Sequence, residues 1–97
     1  MSASRTLLPP EDLNRRAAQL SQWKLVDHKK LARAFRFPDF QKALDFVNRI
    51  GAVAEKQGHH PDLRLGWGYV DVETSTHDAG GLTEQDFLLA SQINQLE

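Results

Sequence analysis

Ninety-seven residues suffice for one domain, and so short a chain buries a modest core that oligomerisation often reinforces. Hydrophobic residues make up 40% and charged residues 26%, as in an ordinary globular domain. The formal net charge is -1 with the two signs intermixed, which argues against the basic stripe of a nucleic-acid binder. Cysteine is absent, so there is no disulfide framework, thiolate metal site or thiol nucleophile. No stretch has the length and apolarity needed to span a bilayer, and the opening Met-Ser-Ala-Ser-Arg-Thr-Leu-Leu lacks the apolar run of a secretory signal. A cytoplasmic protein without a membrane or nucleic-acid partner is expected.

Residues 1–97 are expected to form a single domain, with 1–8 a flexible lead-in. Pro9-Pro10 followed by Glu11 and Asp12 is a helix-start signal, and Leu13, Ala17 and Leu20 recur at helical spacing, predicting a helix over 10–20. Trp23 to Val26 reads as a first strand and Asp27 to Lys30 as a turn. Residues 31–37 then alternate: Leu31, Phe35 and Phe37 share a face that only Arg33 interrupts, so the two runs predict a hairpin.

Pro38-Asp39 opens the longest helix, predicted to run to Gln57. Phe40, Ala43, Leu44, Val47, Ile50 and Ala54 would form its apolar stripe, with Gly51 beside it for close packing and Gly58 as the left-handed stop. Leu63-Arg64-Leu65 predicts a third strand and Gly66-Trp67-Gly68 a bend. Residues 69–76 predict a fourth strand with Val70, Val72, Thr74 and Thr76 on one side and Tyr69, Asp71, Glu73 and Ser75 on the other. After the glycine turn at 78–81, Thr83 reads as an N-cap, Asp86 as the acid of a capping box, and Leu82 with Phe87 as a staple. Leu89, Ile93 and Leu96 supply that last helix's buried stripe. The order α-β-β-α-β-β-α with short connections predicts an α+β fold: a four-stranded antiparallel sheet with the helices packed on one face.

Chemistry concentrates between Glu55 and His77, which holds three of the four histidines. His59 and His60 sit in a Gly-His-His-Pro corner whose glycine and proline fix the backbone on both sides. Adjacent side chains of an extended segment diverge, so the pair can address different parts of one ligand, and imidazole exchanges protons near neutral pH. His77 ends a hydroxyl-rich run, Thr74-Ser75-Thr76, suited to a ring with amide-like edges. Glu55 lies four residues before His59, where it is either a solvated helix charge or a carboxylate that orients an imidazole. Trp67 offers a flat face, although tryptophan is more often core. The zinc-protease spacing, a phosphate-binding glycine loop and a serine elbow are all missing. A metal-dependent enzyme remains a rival reading of the three histidines.

The spaced set Glu55, His59-His60-Pro61, Trp67, His77 and Asp86 resembles the pattern of the pterin-4a-carbinolamine dehydratases. Thr76-His77-Asp78-Ala79-Gly80-Gly81-Leu82-Thr83 resembles that family's T-H-x-x-G-G-L-[ST] segment, and Phe37-Pro38-Asp39-Phe40 its helix entry. The likeness runs from about Leu8 to Leu96. It implies an α+β homodimer or homotetramer that needs no cofactor or metal. The implied enzyme dehydrates 4a-hydroxytetrahydropterin to quinonoid dihydropterin, recycling the pterin of aromatic amino-acid hydroxylases. By position, it implies His59, His60 and His77 as catalytic residues. Substrate contacts would fall among Glu55, Gly58, Pro61, Trp67, Ser75, Thr76, Asp78 and Asp86. His59 and His77 would handle protons and His60 polarise the ring, with acid and base unassigned. Gly58 and Gln85 stand where some relatives carry, respectively, a polar or acidic and a basic side chain. The alternative implied is a binding module, since some relatives are dimerisation cofactors or assembly factors. Assembly-type relatives tend to lose the histidine pattern, which is complete here.

Overall fold

The structure is a computed structural model, and it describes residues 4–97. The described residues form α1 (Pro10–Ala18), β1 (Lys24–Val26), β2 (Lys30–Arg36), α2 (Phe40–Gln57), β3 (Asp62–Gly66), β4 (Tyr69–Thr74), a 3-10 turn (His77–Ala79) and α3 (Glu84–Asn94). The strands make one antiparallel sheet in the order β1-β2-β4-β3, the expected α+β architecture. Among the described residues no helix is long and apolar enough to cross a membrane.

Local chemistry sets the helix ends. Pro10 occupies the first turn of α1, with Glu11 and Asp12 near its positive end and Arg15 and Arg16 near its negative end. Asp39 caps α2 by accepting from the Lys42 N–H at 2.8 Å. Gly58 stops α2 at φ 74°, a conformation that glycine adopts without strain. Trp67 and Gly68 form the tight β3–β4 turn, with Gly68 at φ 80°.

The sheet face bearing Leu31, Phe35, Val70 and Val72 packs against Ala43, Phe46 and Ile50 of α2 and Leu89, Ala90 and Ile93 of α3; α1 adds Leu13 to the same core. Phe46 is the centre of an aromatic group, 4.7 Å from Phe35 and 5.1 Å from Phe37 between ring centroids. Arg33, the interruption on this face, is buried. It donates to Asn94 at 2.5 Å, Glu97 at 2.7 Å and Gln22 at 3.3 Å, and its guanidinium lies 4.1 Å from the Phe35 ring. The Trp23 indole N–H shares Asn94 at 2.7 Å. Arg16 ties α1 to α3 through a fork onto Glu84 at 2.5 and 2.7 Å and lies over Phe87. That hydrogen bond holds the Glu84 carboxyl below its ordinary range.

Several details differ from the sequence expectation. The buried stripe of α2 is Ala43, Phe46, Ile50 and Ala54, while Phe40 is 44% exposed. The helix is rotated so that Phe46, outside the expected stripe, points into the sheet. Gly51 allows no close approach among the described residues, since an added Cβ would meet none of them within 4 Å. β4 ends at Thr74 rather than Thr76, because the chain turns and Thr76 makes only an isolated bridge with Gly81. Of the lead-in, residues 1–3 lie outside the described residues, and two contacts join the rest to the body of the domain. Leu8 N–H bonds to the Leu82 carbonyl at 2.9 Å, and Arg5 bonds to Asp78 at 2.8 Å.

Truncating Phe46 to alanine removes the ring that joins α2 to the sheet. We expect Phe46→Ala to lose about 3–5 kcal/mol in urea unfolding at unchanged slope. A loss below about 1 kcal/mol would mean that the site collapses freely and that the ring is not central.

Candidate active site

Three elements converge where α2 ends, β4 ends and α3 begins. At their junction Asp86, in the first turn of α3, is fully buried. A carboxylate without water must collect its hydrogen bonds from protein. Oδ1 accepts from the Thr74 hydroxyl at 2.6 Å and pairs with His59 Nε2 at 2.7 Å. Oδ2 accepts from the Thr76 hydroxyl at 2.8 Å and the Thr83 N–H at 3.0 Å. Asp86 is thus the capping-box acid that was expected and also the partner of a buried histidine.

With Asp86 ionised, every proton in this group is assigned. A carboxylate only accepts, so Thr74 and Thr76 donate to it. Thr76 has then used its one proton, so at 2.8 Å it must accept from the Thr83 hydroxyl. Thr83 in turn accepts from the Gln85 N–H at 3.2 Å. For the same reason His59 Nε2 carries a proton, and in the neutral ring Nδ1 holds the lone pair. The glycine stop of α2 makes this possible by turning the chain so that His59 enters the interior, 5% exposed, while His60 leaves it.

The other candidates lie at or near the surface. His60 Nε2 pairs with Glu55 on the last turn of α2, so Glu55 serves His60 rather than His59. His77 opens the 3-10 turn and stands 4.0 Å from Asp62 at the start of β3. Asp78 follows it, bonded to Arg5 at 2.8 Å. The Arg5 hydrogen bond chiefly holds the Asp78 carboxyl below its ordinary range. The backbone N–H of the turn, the Arg5 charge and the nearby His59 lower it further, against a small opposing effect of burial. Pro61 and Ser75 are half-buried on either side of this end of the sheet.

Two of the expected substrate contacts, Thr76 and Asp86, have fully buried side chains engaged with each other, so they lie behind His59 rather than on the rim. Trp67 does not join the histidines. It is 71% exposed at the tip of the β3–β4 turn, and β3 carries it roughly 13 Å of strand from the His77–Asp62 end. Thr74 and Thr83 were absent from the expected site. The signal for Thr74 was the alternation Val70, Val72, Thr74, Thr76, which places two hydroxyls on a face that is otherwise valine, and the signal for Thr83 was its N-cap position three residues before Asp86. Among the described residues no group of three or more histidine or carboxylate side chains is placed to hold a metal ion.

A family model described as pterin 4 alpha carbinolamine dehydratase matches residues 6–96, nearly the whole chain. The chain belongs to the pterin-4-alpha-carbinolamine dehydratase family. A Rubrobacter xylanophilus protein provisionally named as such a dehydratase is 49% identical over 92 residues, covering 92% of this chain and 86% of its own length. Pterin-4-alpha-carbinolamine dehydratase 2, mitochondrial, of Arabidopsis thaliana is 48% identical over 83 residues, covering 81% of this chain and 44% of that longer protein. Among solved structures, a transcriptional coactivator/pterin dehydratase from Brucella melitensis superposes with a TM-score of 0.86 at 33% identity, covering 92% of this chain and 96% of that one. A pterin dehydratase-like RuBisCO assembly factor of the alpha-carboxysome shares the fold, with a TM-score of 0.65 at 22% identity over 77% of this chain and 88% of its own.

The Arg5–Asp78 pair gives a pH signature. A carboxylate with a depressed pKa contributes stability that is present above its unfolded pKa and lost as pH falls through the folded one. In Arg5→Gln the Asp78 titration should move up towards the ordinary carboxylate range in a carboxyl-detected NMR titration. Because both side chains are largely exposed, global stability should hardly change. An Asp78 titration identical in both proteins would show that Arg5 does not hold this carboxylate.

Proposed function

We propose that this protein dehydrates 4a-hydroxytetrahydropterin to quinonoid dihydropterin, with His59, His60 and His77 as its catalytic residues. The observation that carries the reading is the buried His59–Asp86 pair at 2.7 Å, with the carboxylate's remaining hydrogen bonds supplied by Thr74, Thr76 and Thr83. A histidine held this way offers a single nitrogen, Nδ1, to a proton on a substrate, and that is the arrangement of a general base. Membership in the family supports the substrate class.

The reaction breaks the C4a–O bond and forms a C=N bond to the neighbouring ring nitrogen. One proton joins the departing hydroxyl to give water, and one leaves the ring N–H. His59 takes the ring proton through Nδ1. His77, exposed at the start of the 3-10 turn, protonates the hydroxyl. His60, oriented by Glu55, binds and polarises the ring. Gly58, Pro61, Ser75 and Asp78 line the approach, and Thr76 and Asp86 act from beneath it. The pterin is uncharged, so a basic patch is not required. In the cell the enzyme would recycle the pterin of an aromatic amino-acid hydroxylase in the cytoplasm. A homodimer or homotetramer would cover the partly exposed Phe40, Leu44 and Val47 on α2.

The test is stopped-flow absorbance with freshly generated 4a-hydroxytetrahydropterin at neutral pH. Acceleration over the spontaneous rate is expected, and His59→Ala and His77→Ala should each lose about 10²- to 10⁴-fold of it. A wild-type rate equal to the spontaneous rate, or a His59→Ala variant with full turnover, would sink the reading.

A further inference from the structure

We propose that Thr74 is a positioning residue for the dehydration: its hydroxyl aims the Asp86 carboxylate that holds His59 in its Nε2–H form. This rests on the dehydratase reading for its effect on rate, but not for its effect on the imidazole. Three observations carry it. Thr74 is the last residue of β4, on the core face that Val70 and Val72 also occupy, and it is 2% exposed. Packing alone would be served as well by valine, which matches threonine in shape and carries no hydroxyl to desolvate. The hydroxyl is instead aimed at Asp86 at 2.6 Å, on Oδ1, the same oxygen that His59 uses.

Oxygen choice separates Thr74 from the neighbouring donors. Thr76 and the Thr83 N–H both lie on Oδ2, where they close the helix cap. Among the described residues Thr74 alone shares the oxygen that faces the imidazole. Its branched Cβ restricts χ1, so the strand fixes the direction of the hydroxyl and thereby the lone pair of Oδ1 left for Nε2–H. Losing that donor leaves the same negative charge shared among fewer hydrogen bonds. The carboxylate should then draw more strongly on His59 and favour its protonated form. The charged groups around His59 are Asp86 from α3 and Asp78 from the 3-10 turn. The nearest acids of α2 and β3, Glu55 and Asp62, face His60 and His77.

The experiment compares wild type, Thr74→Val and Thr74→Ser. Histidine is labelled with 15N, the His59 tautomer and titration are read by long-range 1H–15N correlation, and kcat and KM are measured across pH. Wild type should show the Nε2–H tautomer. Thr74→Val should move the His59 titration upward and shift the acidic limb of kcat the same way. It should lower kcat about tenfold, a part of what base catalysis supplies, with KM within about twofold. Thr74→Ser should restore both signatures. Thr74→Ala provides a second hydroxyl-free variant if the valine protein does not fold. A hydroxyl-free variant whose ring keeps the wild-type tautomer and titration overturns the proposal whatever its rate. So does a serine variant that fails to restore them. The ring readout needs no turnover. A wild type without dehydratase activity would therefore refute the proposed function, while the labelled imidazole still decides the role of Thr74.

Discussion

Asp86 places a carboxyl group where water does not reach, and the other parts of the site are arranged around that fact. An unpaired carboxylate in such a place would cost several kcal/mol, or would take up a proton and lose its charge. Here it gathers two hydroxyls, a backbone N–H and an imidazole, from β4, the bridge that follows it, the cap of α3 and the end of α2. The same group therefore closes a helix, joins that helix to the sheet and fixes the protonation pattern of His59. Folding and chemistry share one anchor, and a substitution at Asp86 would disturb both at once.

Around this anchor the three histidines of the candidate site occupy two depths. His59 is interior and its partners leave it one orientation. His60 and His77 are on the surface, each with an exposed carboxylate beside it. Surface ion pairs are weak, so these rings keep the freedom to change partners when a ligand arrives. In the dehydration we propose, a rigid proton acceptor beneath adaptable binding groups would suit a substrate that must be both oriented and released.

Most of the architecture was legible in the sequence, because its signals are local. Proline and acids mark the start of α1 by backbone geometry and charge, while Asp39 and Gly58 around α2 and Thr83 with Asp86 at α3 mark ends by hydrogen bonds within a few residues. The typed spacing from Glu55 to Asp86 identified the family. What spacing could not show was depth and pairing. His59 and Asp86 are 27 positions apart, and only the meeting of two helix ends makes them neighbours. Trp67 fits the same spaced pattern yet stands at the far end of a hairpin, since a strand carries its residues away at about 3.3 Å each. Phe46 was missed because α2 has more apolar residues than one stripe can hold, and periodicity alone does not say which of them faces the sheet.

Arg33 extends this dependence on distant contacts to the time course of synthesis. Its charge sits on the core face of β2, and its partners Asn94 and Glu97 lie 61 and 64 positions later in the chain. While the chain is being made, β2 emerges with only the Gln22 amide and the Phe35 ring near this cation, and Trp23 waits for the same asparagine, 71 positions away. A growing polypeptide cannot close this core until residues 94–97 have left the ribosomal tunnel. Closing this core therefore depends on contacts of high sequence separation, which form late compared with the local turns of each helix.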